Sequence, residues 1–234
     1  MMATLLLRCV APLQAWDTQS RFGVRTTGRE PSKSGIVGLL CAALGRPRWA
    51  PVDDLAGLTM AVRVDKEGRV WRDFHTAMNI FKAGGGPPKK TEVSTRYYLS
   101  DAAFLVGLEG DKTLLTHLHL ALENPHWMLC LGRKACPPSR PVYLPDGLRD
   151  EALFTALETY PWLGTLDYQY NRLEAKVRVV FDDDNGPQTR QDHPISFEKG
   201  RRKFAPRRVK TTFIDKPPFQ PQQPSNQTEE EEEI

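Results

Sequence analysis

A histidine, a lysine and a tyrosine held together could cleave RNA without a metal, and one stretch of the chain carries all three types. His75 lies in DFHT, Lys82 and Lys89 flank the glycines and prolines of FKAGGGPPKK (81–90), and Tyr97 and Tyr98 follow Arg96. The histidine would act as base and a lysine would stabilise charge on the phosphorane. Yet His75 sits on an expected strand between Asp73 and Thr76, where a hydrogen bond to a local side chain is the commoner fate. The other histidines are scattered. His117 and His119 are one residue apart and diverge on a helix, so no metal site is expected there. The chain holds no GxSxG, no HExxH and no carboxylate pattern for two metals. Cys9, Cys41, Cys130 and Cys136 form no CxxC, and three lie in apolar or strand-like surroundings, as small hydrophobes do. No cofactor is expected, and the thiols should be free.

Binding chemistry is better represented than catalysis. The stretch TTGREPSKSGIVGLLCAALGR (26–46) passes from a basic serine loop into an apolar helix. It is not a P-loop, because the residue before Lys33 is Ser32 rather than glycine. A helix starting at Ser34 would still offer backbone N–H groups and its positive dipole end. Ser32 and Ser34 add hydroxyls, while Arg25, Arg29 and Lys33 add charge. On the hairpin, Lys82, Lys89, Lys90 and Arg96 interleave with Tyr97 and Tyr98, which suits single-stranded nucleic acid. LGRKACPPSRP (131–141) supplies Arg133 and Lys134. KGRRKFAPRRVK (199–210) holds seven Lys or Arg and no acid, with Phe204, Arg207 and Arg208 among them. The formal net charge of +3 understates this. With the five glutamates at 229–233 set aside, 24 acids oppose 32 cations, a net +8. A basic body implies anionic partners.

These side chains need a scaffold. TLLLRCV (4–10) predicts a buried strand. Ile36, Leu39, Leu40, Ala43 and Leu44 follow helical spacing over 34–44, with Ser34 as N-cap and Gly45 as the residue that ends the helix. A hairpin over 58–80 turning at 66–68, a long strand over 91–110, helices over 112–124 and 148–160, and strands at 175–182 and 207–214 complete the pattern, with an acidic turn at 182–184. The order is roughly β-α-β-β-β-α, then α-β-β, which suggests an α+β ferredoxin-like or RRM-like fold. The expected division is 1–125 with a hairpin at about 75–96, a smaller, mainly β part at 126–214, and a Pro/Gln-rich, acidic tail at 215–234 too polar to fold. The N-terminal apolar run is broken by Arg8, too short for a signal-peptide core, and no stretch approaches the ~20 apolar residues of a membrane span. A soluble, cytoplasmic protein is expected.

Taken together, PLQAW (12–16), TGREPSKSGIVGLLCAALG (27–45), DFHT (73–76), RYYLSDAAFLVGL (96–108), LGRKACP (131–137) and FAPRRV (204–209) resemble the CasD subunits of type I-E Cascade, the CRISPR RNA-guided surveillance complex. CasD subunits belong to the RAMP superfamily, built on RRM-like folds. The resemblance runs in order over about nine-tenths of the chain. It implies a non-catalytic subunit that holds the 5′ handle of the mature crRNA and caps the complex backbone. It also implies a hairpin thumb over the guide, here with its tip at Gly84–Pro88. The RNA-facing set would comprise Gln14 and Trp16 of PLQAW, the loop from Arg25 to Ser34, the thumb cations with Tyr97, the GRKAC stretch, and Arg207 with Arg208. Implied partners are CasC-type backbone subunits and a CasA-type large subunit, with target DNA met only through the complex. Relatives in another subtype cut pre-crRNA with Tyr, Lys and His. In type I-E systems a separate subunit does this, so a metal-independent endoribonuclease is the alternative reading.

Overall fold

The computed structural model describes residues 1–17, 23–81, 84–164 and 167–220. In chain order these form β1 (Met2–Val10), β2 (Leu13–Gln14), β3 (Val24–Arg25), α1 (Lys33–Leu44), α2 (Asp53–Ala56), β4 (Thr59–Lys66), β5 (Arg69–Ile80) and β6 (Lys89–Ser100). Then follow β7 (Ala103–Asp111), α3 (Lys112–Glu123), β8 (Leu148–Arg149), α4 (Leu153–Thr159), α5 (Asp167–Asn171), β9 (Lys176–Asp182), β10 (Gln188–Ser196) and β11 (Lys203–Asp215). The result is a mixed α+β architecture.

Seven strands make one sheet in the order β10-β11-β9-β4-β7-β1-β8, and every pairing in it is antiparallel. Its centre is covered on both sides, which is why β1 reads as a near-continuous apolar run, interrupted only by Thr4 and Arg8, rather than alternating. Leu5, Leu7 and Cys9 of β1 pack with Ile36, Leu40, Leu115 and Leu118 of α1 and α3 on one face. Leu6 packs with Leu153, Ala156 and Leu157 of α4 on the other. Each fully buried leucine contributes on the order of 1.5–3 kcal/mol of transfer free energy.

A second sheet, β2-β6-β3 with β5 also on β6, stands beside the first. Its β5–β6 hairpin is paired from Arg69↔Ser100 to Ile80↔Lys89. The expected hairpin over 58–80 is therefore not one: β4 pairs with β7 and β9, while β5 pairs with β6 in the other sheet. The turn at 66–68 carries the chain between sheets. The long strand expected over 91–110 divides for the same reason. Asp101 takes a left-handed φ of 54° between β6 and β7, and the two halves join different sheets.

Elsewhere the boundaries shift. The helix expected over 148–160 is confined to α4, preceded by β8 on the edge of the large sheet. The strand β10 had no expected counterpart. Arg63, fully buried on β4, is held by Asp65 at 2.6 and 2.8 Å and donates to the carbonyls of Leu157, Tyr160 and Pro161 at the end of α4. The buried cation thus satisfies carbonyls that a helix end leaves open. Past β11 the chain stays packed: Pro218 accepts from Trp162 N at 2.8 Å, and the Phe219 ring stacks on Tyr170 at 5.1 Å. The rest of the expected tail, 221–234, lies outside the described residues. Among the described residues no helix is long and apolar enough to cross a membrane, and all four thiols are free.

Candidate nucleic-acid interface

The start of α1 is the pivot of the site, and its cap is Ser32 rather than Ser34. Ser32 is extended (φ −80°, ψ 147°) and its Oγ accepts from Gly35 N at 3.3 Å. The helix therefore begins at Lys33, whose own N–H donates to the Asp192 carboxylate at 2.8 Å. Gly45, with φ 70°, ends it, and a Cβ there would meet the His126 ring at 2.7 Å. Two of the free N–H groups at the helix start are thus already satisfied inside the protein. The positive end of the dipole faces an internal carboxylate.

The Lys33 charge is spent internally as well. Its Nζ lies 2.8 Å from Asp182 and the residue is 6% exposed. Arg207 bridges Asp182 and Asp192, meeting Asp192 at 2.7 and 3.0 Å. Burial opposes the Arg207 charge, but the hydrogen bonds and fields of Asp192 and Asp182 outweigh it and hold its pKa above the ordinary value. Two cations and two carboxylates from α1, β9, β10 and β11 so form a closed set. Lys33 and Arg207, expected to face a ligand, instead pin the helix start to the last strands.

Gln14 and Trp16 are likewise supports. Both are buried, at 0% and 1% exposure. Gln14 donates to the carbonyls of Cys9 and Ala102 at 3.1 and 2.8 Å and accepts from the Trp16 indole at 2.9 Å. The indole lies beneath the first turn of α1, where a Cβ on Gly35 would meet it at 2.9 Å. Burial leaves Gln14 without solvent contact, while Trp16, though 1% exposed, still borders the cleft along α1.

What the structure does bring together is an open cleft of about 1390 Å³ running along the outer side of α1. Cations reach it from five parts of the chain: Arg25 on β3, Arg96 on β6, Arg46 and Arg48 after α1, Arg133 and Lys134 on the loop after α3, and Arg202 on the loop before β11. Asp17 is the one acid among its lining residues. Arg25 and Arg96 are neighbours in the parallel β3–β6 register, and Arg96 Nε is buried without a hydrogen-bond partner. Arg133 donates to the carbonyls of Tyr97 and Thr26 at 3.0 and 2.8 Å and lies over the Tyr98 ring at 4.8 Å. It thereby locks the loop at 131–136 to the hairpin base. Ser32 and Ser34 line the same cleft.

Of the remaining expected residues, Arg29, Lys90 and Arg208 are exposed but do not line the cleft. Arg208 donates to the Gly186 carbonyl at 2.8 Å. Lys89 is ion-paired with Glu92 out on the hairpin, and Lys82 lies outside the described residues. Arg46, Arg48, Trp127 and Arg202 carry no individual signal in the sequence. Arg202 lay inside the basic run 199–210, while RPR at 46–48 offered a basic signal that only the fold connects to the rest. Arg46 is paired to Asp54 at 2.5 Å, so it is a weaker contributor than Arg48.

Among the described residues the histidine set does not assemble. His75 sits opposite Ser94 and meets Asp73 at 3.3 Å, both side chains being about half exposed. Tyr97 pairs with Arg72, three residues away, and so points to the other face of the hairpin. Tyr98 shares the face of His75 but pairs with Trp71, about 13 Å along the strand at ~3.4 Å per residue, and is buried.

The chain is similar to known proteins in both sequence and overall fold. Residues 4–210 match the family described as CRISPR-associated protein (Cas_Cas5). The CRISPR system Cascade subunit CasD of Escherichia coli (strain K12) is 34% identical over 163 residues, covering 62% of this chain and 71% of that protein. A crystal structure of a Cas protein superposes with a TM-score of 0.76 at 42% identity, over 94% of this chain and 100% of that one. A chain from a CRISPR RNA-guided surveillance complex gives 0.77 at 29% identity, over 91% of this chain and 90% of that one.

Proposed function

The chain belongs to the Cas5 family of CRISPR-associated proteins, and on that premise we propose that it is the non-catalytic crRNA-binding subunit of a type I-E Cascade complex. It holds the 5′ handle of the guide and caps the backbone. The observation that carries this reading is the cleft along α1, with seven cations against one acid in its lining. Cations there neutralise phosphates, and the displaced counterions supply affinity. Aromatic rings between them offer stacking surfaces to unpaired bases.

In this reading β1-α1-β4-β7-α3-β8 is an RRM-like unit, supported by the sheet order β4-β7-β1-β8. The region 126–214 extends that sheet and supplies one wall of the cleft, and β5–β6 is the thumb. The guide's handle lies against Arg25, Arg96, Arg133 and Lys134. CasC-type subunits meet the thumb, and a CasA-type subunit meets the capped end. The separation of His75 from Tyr97 and Tyr98 favours binding over cleavage.

The test is incubation of the purified chain with repeat RNA, with and without EDTA. The RNA is expected to be bound and recovered intact, and a His75→Ala variant is expected to retain crRNA normally. Metal-independent cutting within the repeat, lost in His75→Ala, would replace this proposal with the endoribonuclease reading.

A further inference from the structure

We propose that the cleft ends in a seat for one unstacked nucleobase of the bound RNA, with the Trp127 indole as its stacking platform. This rests on the RNA-binding reading of the cleft and adds to it a base-contacting residue that no phosphate argument requires.

The floor of the seat is α1 itself. Ile36, Val37, Leu39 and Leu40 are buried, whereas Gly38 opens outward: a Cβ there would meet nothing within 4 Å. Gly38 and Ala42 therefore leave a shallow surface where a longer side chain would fill the cleft. Beside that floor, the loop after α3 is fixed to the helix by two backbone bonds. His126 N donates to Ala43 O at 2.9 Å, and Trp127 N donates to Ala42 O at 3.1 Å. The His126 ring braces the indole edge-on at 5.0 Å and 74°. Even so, Trp127 stays 46% exposed. A large ring fastened at its backbone, braced at its edge and left open to a cleft has already lost the rotamer freedom that binding would otherwise cost.

The surroundings select the ligand. Arg48 and Lys134 line the same cleft, as do Arg202 and Phe204, whose guanidinium and ring lie 5.7 Å apart. A flat aromatic group with an adjacent negative charge satisfies both the ring and the cations, and a nucleotide has both parts. An apolar peptide would leave those cations without partners.

The test is a double-mutant cycle on the full-length chain, using the single-stranded repeat-derived handle RNA scanned with one abasic nucleotide at a time. Trp127→Ala is expected to melt like the wild type and to weaken RNA binding roughly 5- to 150-fold, the span of one base stack. Trp127→Phe is expected to retain most of the affinity. At one position the abasic substitution should cost the wild type the same factor and cost Trp127→Ala nothing further. Wild-type affinity in Trp127→Ala, or losses that multiply at every abasic position, would overturn the seat. So would unchanged RNA binding joined to failed assembly with the other subunits, which would make Trp127 a protein contact. If Arg25→Ala with Arg96→Ala weakens RNA binding while the Trp127 cycle is multiplicative, only the seat fails. If neither affects RNA binding, the proposed function fails with it.

Discussion

Lys33 and Arg25 are both cations of the loop entering α1, and nothing local in the sequence separates them. The structure gives them opposite tasks. Lys33 is buried against Asp182, and Arg25 stands in the cleft beside Arg96. Arg25→Ala with Arg96→Ala should leave the melting temperature nearly unchanged, weaken RNA binding, and lower the salt slope by about 0.7 per lost phosphate contact. Lys33→Ala should do the reverse: it should lower stability and leave the salt slope as it was. Equal slopes in both variants would refute the division. The counter-ion of Lys33 lies 149 residues away, so a reading of neighbours could find the charge but not its neutralisation. A second residue reports on the same region. His193 is pushed below its ordinary pKa by burial first and then by Lys33 and Arg207, with Asp182 and Asp192 pulling the other way. The folded protein therefore resists a proton that the unfolded chain accepts near its ordinary value of about 6.5. Stability should fall as pH drops through that value towards the depressed one. His193→Gln should flatten this part of the profile, measured as urea midpoints at about pH 7.5 and about pH 5.5. A wild-type profile without that slope would remove the assignment.

Among the elements, α1 was legible because its signals are local: apolar spacing, a serine before it and a glycine after it. The structure moves the cap by two residues because Ser32 Oγ, not Ser34 Oγ, reaches the N–H of Gly35. The pairing of β4 and β5 was not legible, since a short turn looks the same whether it closes a hairpin or passes the chain to another sheet. A signal was present in composition. TMAVRV on β4 is almost continuously buried, whereas β5 mixes polar and apolar residues without strict alternation and is largely exposed. That exposure leaves the outer part of the β5–β6 hairpin with little core of its own. Replacing Gly84–Pro88 by a two-residue turn should leave the isolated protein's melting temperature nearly unchanged and impair assembly of the complex. Unfolding of the shortened protein would show that the tip supports the fold.

At the scale of the molecule, the candidate cleft is built from distant parts of the chain, and the order of elements alone could not show where they converge. Arg25, Arg96, Arg133 and Arg202 meet only because β3 joins β6, the loop at 131–136 is tied to both, and β10 and β11 close over the start of α1. The buried set of Lys33, Asp182, Asp192 and Arg207 is the fastening. Asp192→Ala leaves the Arg207 charge and the Lys33 N–H without that carboxylate. It should cost about 3–5 kcal/mol in urea denaturation, the usual penalty for breaking a buried pair from one side. A loss of under about 1 kcal/mol would place this set with surface ion pairs instead. The fastening also has a consequence in time. Asp182 is made 149 residues after Lys33, and Asp192 and Arg207 later still, so β1 and α1 exist well before the helix start can be locked. Phe197, Arg202 and Phe204 of the cleft wall arrive just as late. A nascent chain therefore has no completed cleft until residues past Phe204 have been made, so on the proposed function guide capture must follow the synthesis of β11.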